Sequence, residues 1–311
     1  MIITITGGAG FIGSNLVEKL LLSSDHTLNV IDAFTSDLYP KQIKMKNVDG
    51  FKDNSRVKIF DLDLRTGELD EALVGSSVVI HLAALAGLPK SWEIFDKYSS
   101  CNLLATQRLL ESIGKLEIPK LLYISTSSVY GENAIGDENM HLRPVSPYGV
   151  TKLASEHIID AYSNIAKFEY SILRLFSVYG PKQRPDMAYN IIINKFLNGE
   201  PFQVFGDGRQ SRSNTYVSDI VDGITSAMFD FHNREIYNLC GSEKVELNSA
   251  IEIIRNLTRS KSTVEYLGLR AGDQGMTFGD FTKAKSHFGY SPKVSFLEGI
   301  ERQIAWQKNS R

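Results

Sequence analysis

The chain opens with a strand, a glycine turn and a helix in one order, and that order admits few folds. Residues 1–6 are a short apolar, β-branched run of the kind that forms a buried strand. Gly7-Gly8-Ala9-Gly10-Phe11-Ile12-Gly13 follows, and residues 11–22 read as a helix with Ile12, Leu16 and Leu20 on one face. Gly7 permits the tight turn, Gly10 lets backbone approach a pyrophosphate, and Gly13 lets helix and strand pack closely. The helix start offers free N–H groups to phosphate. A second strand over 27–31 ends in Asp32. A carboxylate about 20 residues beyond the glycines accepts from ribose hydroxyls and repels a 2′-phosphate, which favours NAD over NADP.

The alternation continues. Residues 57–60, 78–82, 121–125 and 170–176 read as strands, and 95–113 and 152–166 as helices. This pattern predicts an α/β fold, a Rossmann-type doubly wound parallel sheet. Beyond Gly180 the elements shorten and become rich in Gly, Asp and Arg, which predicts a smaller C-terminal α/β lobe over the carboxyl ends of the strands. The expected division is 1–180 for the NAD-binding part, with about 213–240 returning to it, and 181–311 mainly for the lobe. A chain of 311 residues can bury a core of that size. The net charge of −2 gives no reason to expect nucleic acid or an anionic membrane as partner. Cys101 and Cys240, far apart and without metal-ligand spacing, suit a reducing compartment and no metal. A first strand at residue 2 leaves no room for a signal peptide, and no apolar run is long enough to span a bilayer, so a cytoplasmic location is expected.

Two later segments carry chemistry: Ser125-Thr126-Ser127-Ser128-Val129-Tyr130-Gly131 and Tyr148-Gly149-Val150-Thr151-Lys152. A carbinol carbon loses hydride to a nicotinamide only if its O–H proton leaves as well. Tyr148 is the candidate base, although a free tyrosine titrates near pH ~10. Lys152 lies four residues on, on the same helical face. Its charge favours the phenolate, and it can also hold the nicotinamide ribose. Thr126 would hydrogen-bond the reacting hydroxyl. A Tyr and a Lys so spaced also describe many solvated helix faces. The preceding Ser146-Pro147 and the hydroxyl cluster around 126 set this pair apart.

Along essentially its whole length the chain resembles the extended short-chain dehydrogenases/reductases that epimerise or dehydrate sugar nucleotides. The matching pieces are the glycine turn, Asp32, His81-Leu82-Ala83-Ala84, the 125–131 segment, Ser146-Pro147-Tyr148 through Lys152, Tyr179-Gly180-Pro181 and Tyr216-Val217-Ser218-Asp219. Ala86-Gly87-Leu88, Arg184-Pro185-Asp186-Met187-Ala188 and the stretch from Asp32 to Lys44 are similar to UDP-glucuronate 4-epimerases. The resemblance implies catalysis by Thr126, Tyr148 and Lys152. It implies NAD binding by Gly7, Gly10, Phe11, Ile12, Asp32, Lys44, Asp63, Leu64, Leu82, Ala83 and Ala84, together with Tyr148 and Lys152. It also implies a homodimer built on two helices. The apolar stripes Ala154, Ile158, Ala161, Ile165 and Tyr98, Ala105, Leu109, Ile113 would supply the seam, if the chain's own sheet does not claim them.

Residues 127 and 128 bear on the reaction. Dehydratases similar to this chain carry Asp-Glu there, and UDP-glucuronate decarboxylases a Glu at the second position, because elimination needs an acid/base carboxyl. Ser127 and Ser128 donate hydrogen bonds but carry protons poorly. Such donors suit a carboxylate at C5 of the sugar; the resemblance to glucuronate epimerases implies that Ser177 grips it with them, and gripping it opposes loss of CO2 from the 4-keto acid. The same resemblance implies that Gly87 and Arg184 border the sugar. For the nucleotide, the resemblance implies Arg212 and Arg270 at the pyrophosphate and Gln210 and Asp273 at the ribose. Four positions depart from the family pattern. Ser213-Asn214 stand where Asp-Phe is usual, Pro89 where Arg is usual, and Ser177 where Thr is usual. The reading is therefore NAD-dependent 4-epimerisation of a UDP-sugar, best matched by UDP-glucuronate to UDP-galacturonate. Another UDP-hexose or UDP-N-acetylhexosamine, a dehydratase or 4-ketoreductase, and a non-catalytic NAD-binding protein are the alternatives.

Overall fold

The computed structural model describes residues 1–268 and 274–310. Seven strands form one parallel sheet: β1 (Ile2–Thr6), β2 (Thr27–Asp32), β3 (Val57–Asp61), β4 (Ser76–His81), β5 (Lys120–Thr126), β6 (Glu169–Leu175) and β7 (Glu235–Leu239). Their order is β7-β6-β5-β4-β1-β2-β3. The chain steps outward from β1 through β2 to β3, then returns to lay β4 on the other side of β1. That reversal opens a crevice at the carboxyl ends of β1 and β4, where ligands bind in such sheets.

Alternate side chains feed two cores. Ile3, Ile5, Val78, Ile80, Leu122 and Leu173 face α1 (Phe11–Ser23) and a later helix, Val217–Phe229. Ile31, Val79, Leu121, Tyr123 and Ile172 face α2 (Ala105–Lys115) and α3 (Pro147–Ala166). Burial on both faces explains why these strands read as unbroken apolar runs. A second sheet joins Lys244–Glu246, Ser211–Ser213, Met276–Gly279 and Asn133–Gly136 beside the main one. Among the described residues no helix is long and apolar enough to cross a membrane.

The expected helix over 95–113 is not uniform. Its middle turn, Ser99–Leu104, is a π-helix between Phe95–Tyr98 and α2. The carbonyl of Asn102 accepts from the hydroxyls of Thr106 (2.6 Å) and Ser155 (2.9 Å). The wider turn rotates the residues after it and changes which side chains face inward. Tyr98, Ala105, Leu109 and Ile113, expected at a dimer seam, are buried in this chain's own core instead. On α3, Ala161 and Ile165 are exposed, and Ala154 and Ile158 are half-buried.

α3 begins with Ser146 as N-cap, its hydroxyl accepting from Gly149 N at 3.1 Å, and with Pro147 in the first turn. A buried ion pair fixes its middle to the sheet. Arg174 of β6 donates Nε and Nη2 to the two Glu156 oxygens (3.1 and 2.6 Å), and Ser125 donates its hydroxyl to the same carboxylate. Removing one partner leaves the other charge buried and uncompensated, which typically costs about 3–5 kcal/mol. Arg174→Met should therefore destabilise the protein by about that much in urea denaturation, and pairing it with Glu156→Gln should recover part of the loss.

Candidate active site

A cleft of about 440 Å³ runs along the carboxyl edge of the main sheet. Its floor begins at the glycine turn. Gly7 has φ +73°, and a Cβ there would sit 2.7 Å from Ala83 N; a Cβ on Gly13 would strike the Gly7 carbonyl oxygen. Only glycine allows β1, α1 and the segment after β4 to come this close. α1 starts at Gly10 with no side-chain cap and no acid in its first turn, so its N–H groups and positive dipole end face the cleft. Asp32 ends β2 buried. Its oxygens accept from Ala9 N (3.2 Å), Phe34 N (3.0 Å) and Lys44 Nζ (3.0 Å). A glycine cradle, an uncapped helix start and an oriented acid at the next strand are the donor and acceptor set of NAD, and they fit it.

Thr126 closes β5, and its side chain accepts from Ser128 N at 3.1 Å, turning residues 127–129 into a short 3₁₀ turn. Tyr148 and Lys152 rise from α3 into the same space. The Tyr98 ring meets the Tyr148 ring edge-on at 6.2 Å. Burial raises the Tyr148 pKa, and a hydrogen bond from Thr126 and the Arg184 charge oppose that rise. Lys152 Nζ donates to the Ile124 carbonyl at 2.8 Å. Burial pulls its pKa down to about 7, with the Glu156 charge working the other way.

Behind the pair lies His81, fully buried and held neutral, its pKa pushed down to about 3 by burial and by the Lys152 charge. Thr106 Oγ1 donates to the Asn102 carbonyl, so it accepts from His81 Nε2 at 3.0 Å. Nδ1 then accepts from Thr6 Oγ1 at 2.6 Å, and Thr6 in turn takes the Ala83 N–H at 3.2 Å. This chain of bonds holds Ala83 beside the glycine turn. Asn102 holds the next step, with its amide bonded to both backbone groups of Leu85 (2.8 and 3.0 Å).

Of the positions expected from sequence, Gly7, Gly10, Phe11, Ile12, Asp32, Lys44, Asp63, Leu64, Leu82, Ala83, Ala84, Thr126, Tyr148 and Lys152 line this cleft, as do Ser127, Ser128, Ser177, Arg184 and Arg212. Gly87 sits at its rim, where Tyr98 Oη donates to its carbonyl at 3.0 Å. Gln210 is not brought in; its amide donates to the Phe205 carbonyl at 3.2 Å. Arg270 and Asp273 fall outside the described residues. Sequence reasoning missed Tyr39, Arg65, Cys101 and Gln274, all in the lining. Gln274 donates to the Gly131 carbonyl at 2.6 Å and so backs the hydroxyl turn.

Residues 3–240 match the NAD dependent epimerase/dehydratase family. The chain belongs to that family. The uncharacterized UDP-glucose epimerase YtcB of Bacillus subtilis is 39% identical over 309 residues, 98% of each chain. A UDP-glucuronate 4-epimerase of Thermodesulfobacterium geofontis is 33% identical over 98% of this chain and 96% of its own. The crystal structure of UDP-glucuronic acid 4-epimerase from Bacillus cereus, in complex with UDP-glucuronic acid and NAD, superposes with a TM-score of 0.96 at 36% identity, covering all of both chains. As a member of this family the chain is NAD-dependent.

The depressed lysine pKa couples the site to folding. Between pH 7 and 9 the unfolded chain carries a proton on Lys152 that the cofactor-free folded chain partly lacks. Its contribution to folding is therefore greatest at high pH and is lost as pH falls through about 7. Urea melts of NAD-free protein should show the stability gap between wild type and Lys152→Met shifting in favour of wild type as pH rises from 7 to 9.

Proposed function

We propose that this protein interconverts UDP-glucuronate and UDP-galacturonate by oxidising and re-reducing C4 of the bound sugar. The observation that carries the reading is the donor set beside Tyr148. Ser127, Ser128, Ser177 and Arg184 line the same end of the cleft. Asp32 and Asp63, at the β2 and β3 end, are the only carboxylates in its described lining. A site for elimination would need a proton-carrying acid there; a site for a uronic acid needs donors.

Arg184 is the strongest of them. Its Nε and Nη2 meet both Asp186 oxygens (3.0 and 2.8 Å), and Nη2 also donates to the Ala86 carbonyl at 2.8 Å. Nη1 makes no hydrogen bond among the described residues, which leaves two N–H groups for a carboxylate. The Bacillus cereus enzyme with UDP-glucuronic acid bound supports the same reading.

The chemistry NAD supplies when bound is reversible hydride transfer at C4. Tyr148 takes the C4 hydroxyl proton as that carbon is oxidised and returns it after the keto sugar has turned its other face. Thr126 holds the reacting oxygen in reach of Tyr148. Lys152 keeps the phenolate accessible by its charge. Ser127, Ser128, Ser177 and Arg184 hold the carboxylate, whose departure from the 4-keto acid would require it to turn free of these donors. Arg212, with Arg270, takes the pyrophosphate, and Gln210 and Asp273 the ribose. In this reading residues 1–180, with 213–240, bind NAD, and 181–311 mainly bind the nucleotide sugar.

A hydrogen bond to a charged group is worth about 1.5–3 kcal/mol, or roughly tenfold to a hundredfold in rate or affinity. Ser128→Ala and Arg184→Met should each lower kcat/KM for UDP-glucuronate by about that factor and change UDP-glucose turnover much less. NMR of 4-epimers formed from a panel of UDP-sugars makes the measurement. Equal wild-type rates on UDP-glucuronate and UDP-glucose would overturn the uronate reading in favour of a neutral hexose.

The working unit in this reading is a homodimer. Val150, Ala161 and Ile165 on α3, with Phe95 and Leu104 on the neighbouring helix, are exposed apolar or small residues. Their spacing on α3 makes one stripe. Ala161→Arg should convert the protein from dimer to folded monomer in light scattering, with circular dichroism unchanged; a monomeric wild type at micromolar concentration would contradict the seam.

A further inference from the structure

We propose that Tyr123 is a positioning residue for Lys152, its ring face holding the Lys152 ammonium and so preserving the charge that serves Tyr148. This rests on the reading of Tyr148 and Lys152 as the proton-transfer pair.

Lys152 Nζ stands over the Tyr123 ring, 4.1 Å from its centroid. Both residues are buried, at 2% and 0% exposure. The ammonium has three donors and gives one to the Ile124 carbonyl. Among the described residues no carboxylate contacts it. Glu156, one turn further along α3, is occupied by Arg174 and by Ser125. Among the described residues the other titratable groups around Lys152 offer no standing counter-charge while the phenol keeps its proton: Tyr148 on α3, whose pKa burial raises, His81 on β4, held neutral, and Arg174 on β6, itself a cation and already paired. A desolvated ammonium with so few partners is expensive, and an aromatic face offsets that cost, more strongly out of water than in it.

The ring, not the hydroxyl, is the working part. Tyr123 Oη makes no well-formed hydrogen bond among the described residues; the Ser155 hydroxyl beside it is already spent on the Asn102 and Thr151 carbonyls. The ring is braced from the neighbouring strand by His81, 5.5 Å away and tilted by 42°. The neighbouring inward positions on this face, Val79, Leu121 and Ile172, are aliphatic, so packing alone does not require an aromatic residue here.

The test varies the electrostatics of the ring at constant shape. Tyr123 is replaced by phenylalanine and by mono-, di- and trifluorophenylalanine in the full-length, NAD-loaded protein. Turnover is measured on whichever nucleotide sugar the wild type converts fastest, so failure of the glucuronate reading leaves the test intact. Tyr123→Phe should keep near-wild-type turnover. Each fluorine should then lower kcat by a similar factor, roughly tenfold in total, with KM and NAD content unchanged. The acidic limb of the pH–rate profile should move up in step, as the weakened ammonium does less for Tyr148. A flat series overturns the proposal. So does a slope that survives in a Lys152→Met background, because the ring would then be acting through packing. Full activity of Lys152→Met alone would overturn the pairing on which the proposal stands.

Discussion

The Glu156–Arg174 ion pair is the interaction on which the rest of the site depends. Its two residues sit on different layers, α3 and β6, at 4% and 1% exposure. Register places Arg174 beside Ser125, whose hydroxyl completes the carboxylate's shell. Arg174 Nη1 donates to Tyr130 Oη at 3.0 Å, and Tyr130 donates onward to Asn238 of β7 at 2.7 Å. One buried network thus ties α3 to three adjacent strands. Tyr148, Lys152 and Glu156 succeed one another at four-residue spacing, so fixing the last fixes the reach of the first two over Thr126. Such pairs add little net stability over an apolar core of the same volume, but they tolerate only one geometry. Here that geometry is the alignment of the proton-transfer helix.

Most of the sheet was legible because its inner strands are buried on both faces. Apolar runs and glycine turns mark such strands without ambiguity, and β1, β2 and β5 lie within a residue or so of their expected limits. The helix over 95–113 shows where local pattern stops. Its apolar spacing is helical throughout, yet the π-turn at Ser99–Leu104 comes from contacts distant in sequence. Ser155 hydrogen-bonds the Asn102 carbonyl from 53 residues away, and Asn102 reaches back to Leu85. No window of adjacent residues contains that information. The stripe expected at a dimer seam has another origin: Tyr98, Ala105, Leu109 and Ile113 do share one face, but the chain's own sheet and helices bury that face, and an apolar stripe alone does not say which surface covers it.

The site divides the same way. Thr126, Ser127, Ser128, Tyr148 and Lys152 were readable because each sits at a fixed offset from a turn or a cap. Tyr39, Arg65 and Gln274 were not, although Tyr39 lies within the Asp32–Lys44 stretch and Arg65 next to Asp63-Leu64, because no spacing rule says which side chains of such loops turn into the cleft. Gln210 shows a limit of motif reading: it belongs to a recognisable glycine-rich segment, while its amide here donates to the Phe205 carbonyl and does not line the cleft. A motif fixes the path of the backbone more reliably than the direction of each side chain along it.

Asp32 reaches the cleft already ordered. Backbone N–H groups from Ala9 and Phe34 and the ammonium of Lys44 hold both of its oxygens before any adenosine arrives. Its rotamer entropy is lost when the chain folds, not when the dinucleotide docks, so that cost does not weaken affinity. The same holds for the glycine cradle, whose contacts are backbone on backbone. A cradle this finished favours long residence of its dinucleotide. Long residence suits a catalyst that must hand the same two electrons back to the molecule it took them from, and it would hinder one that had to exchange its carrier at every turnover.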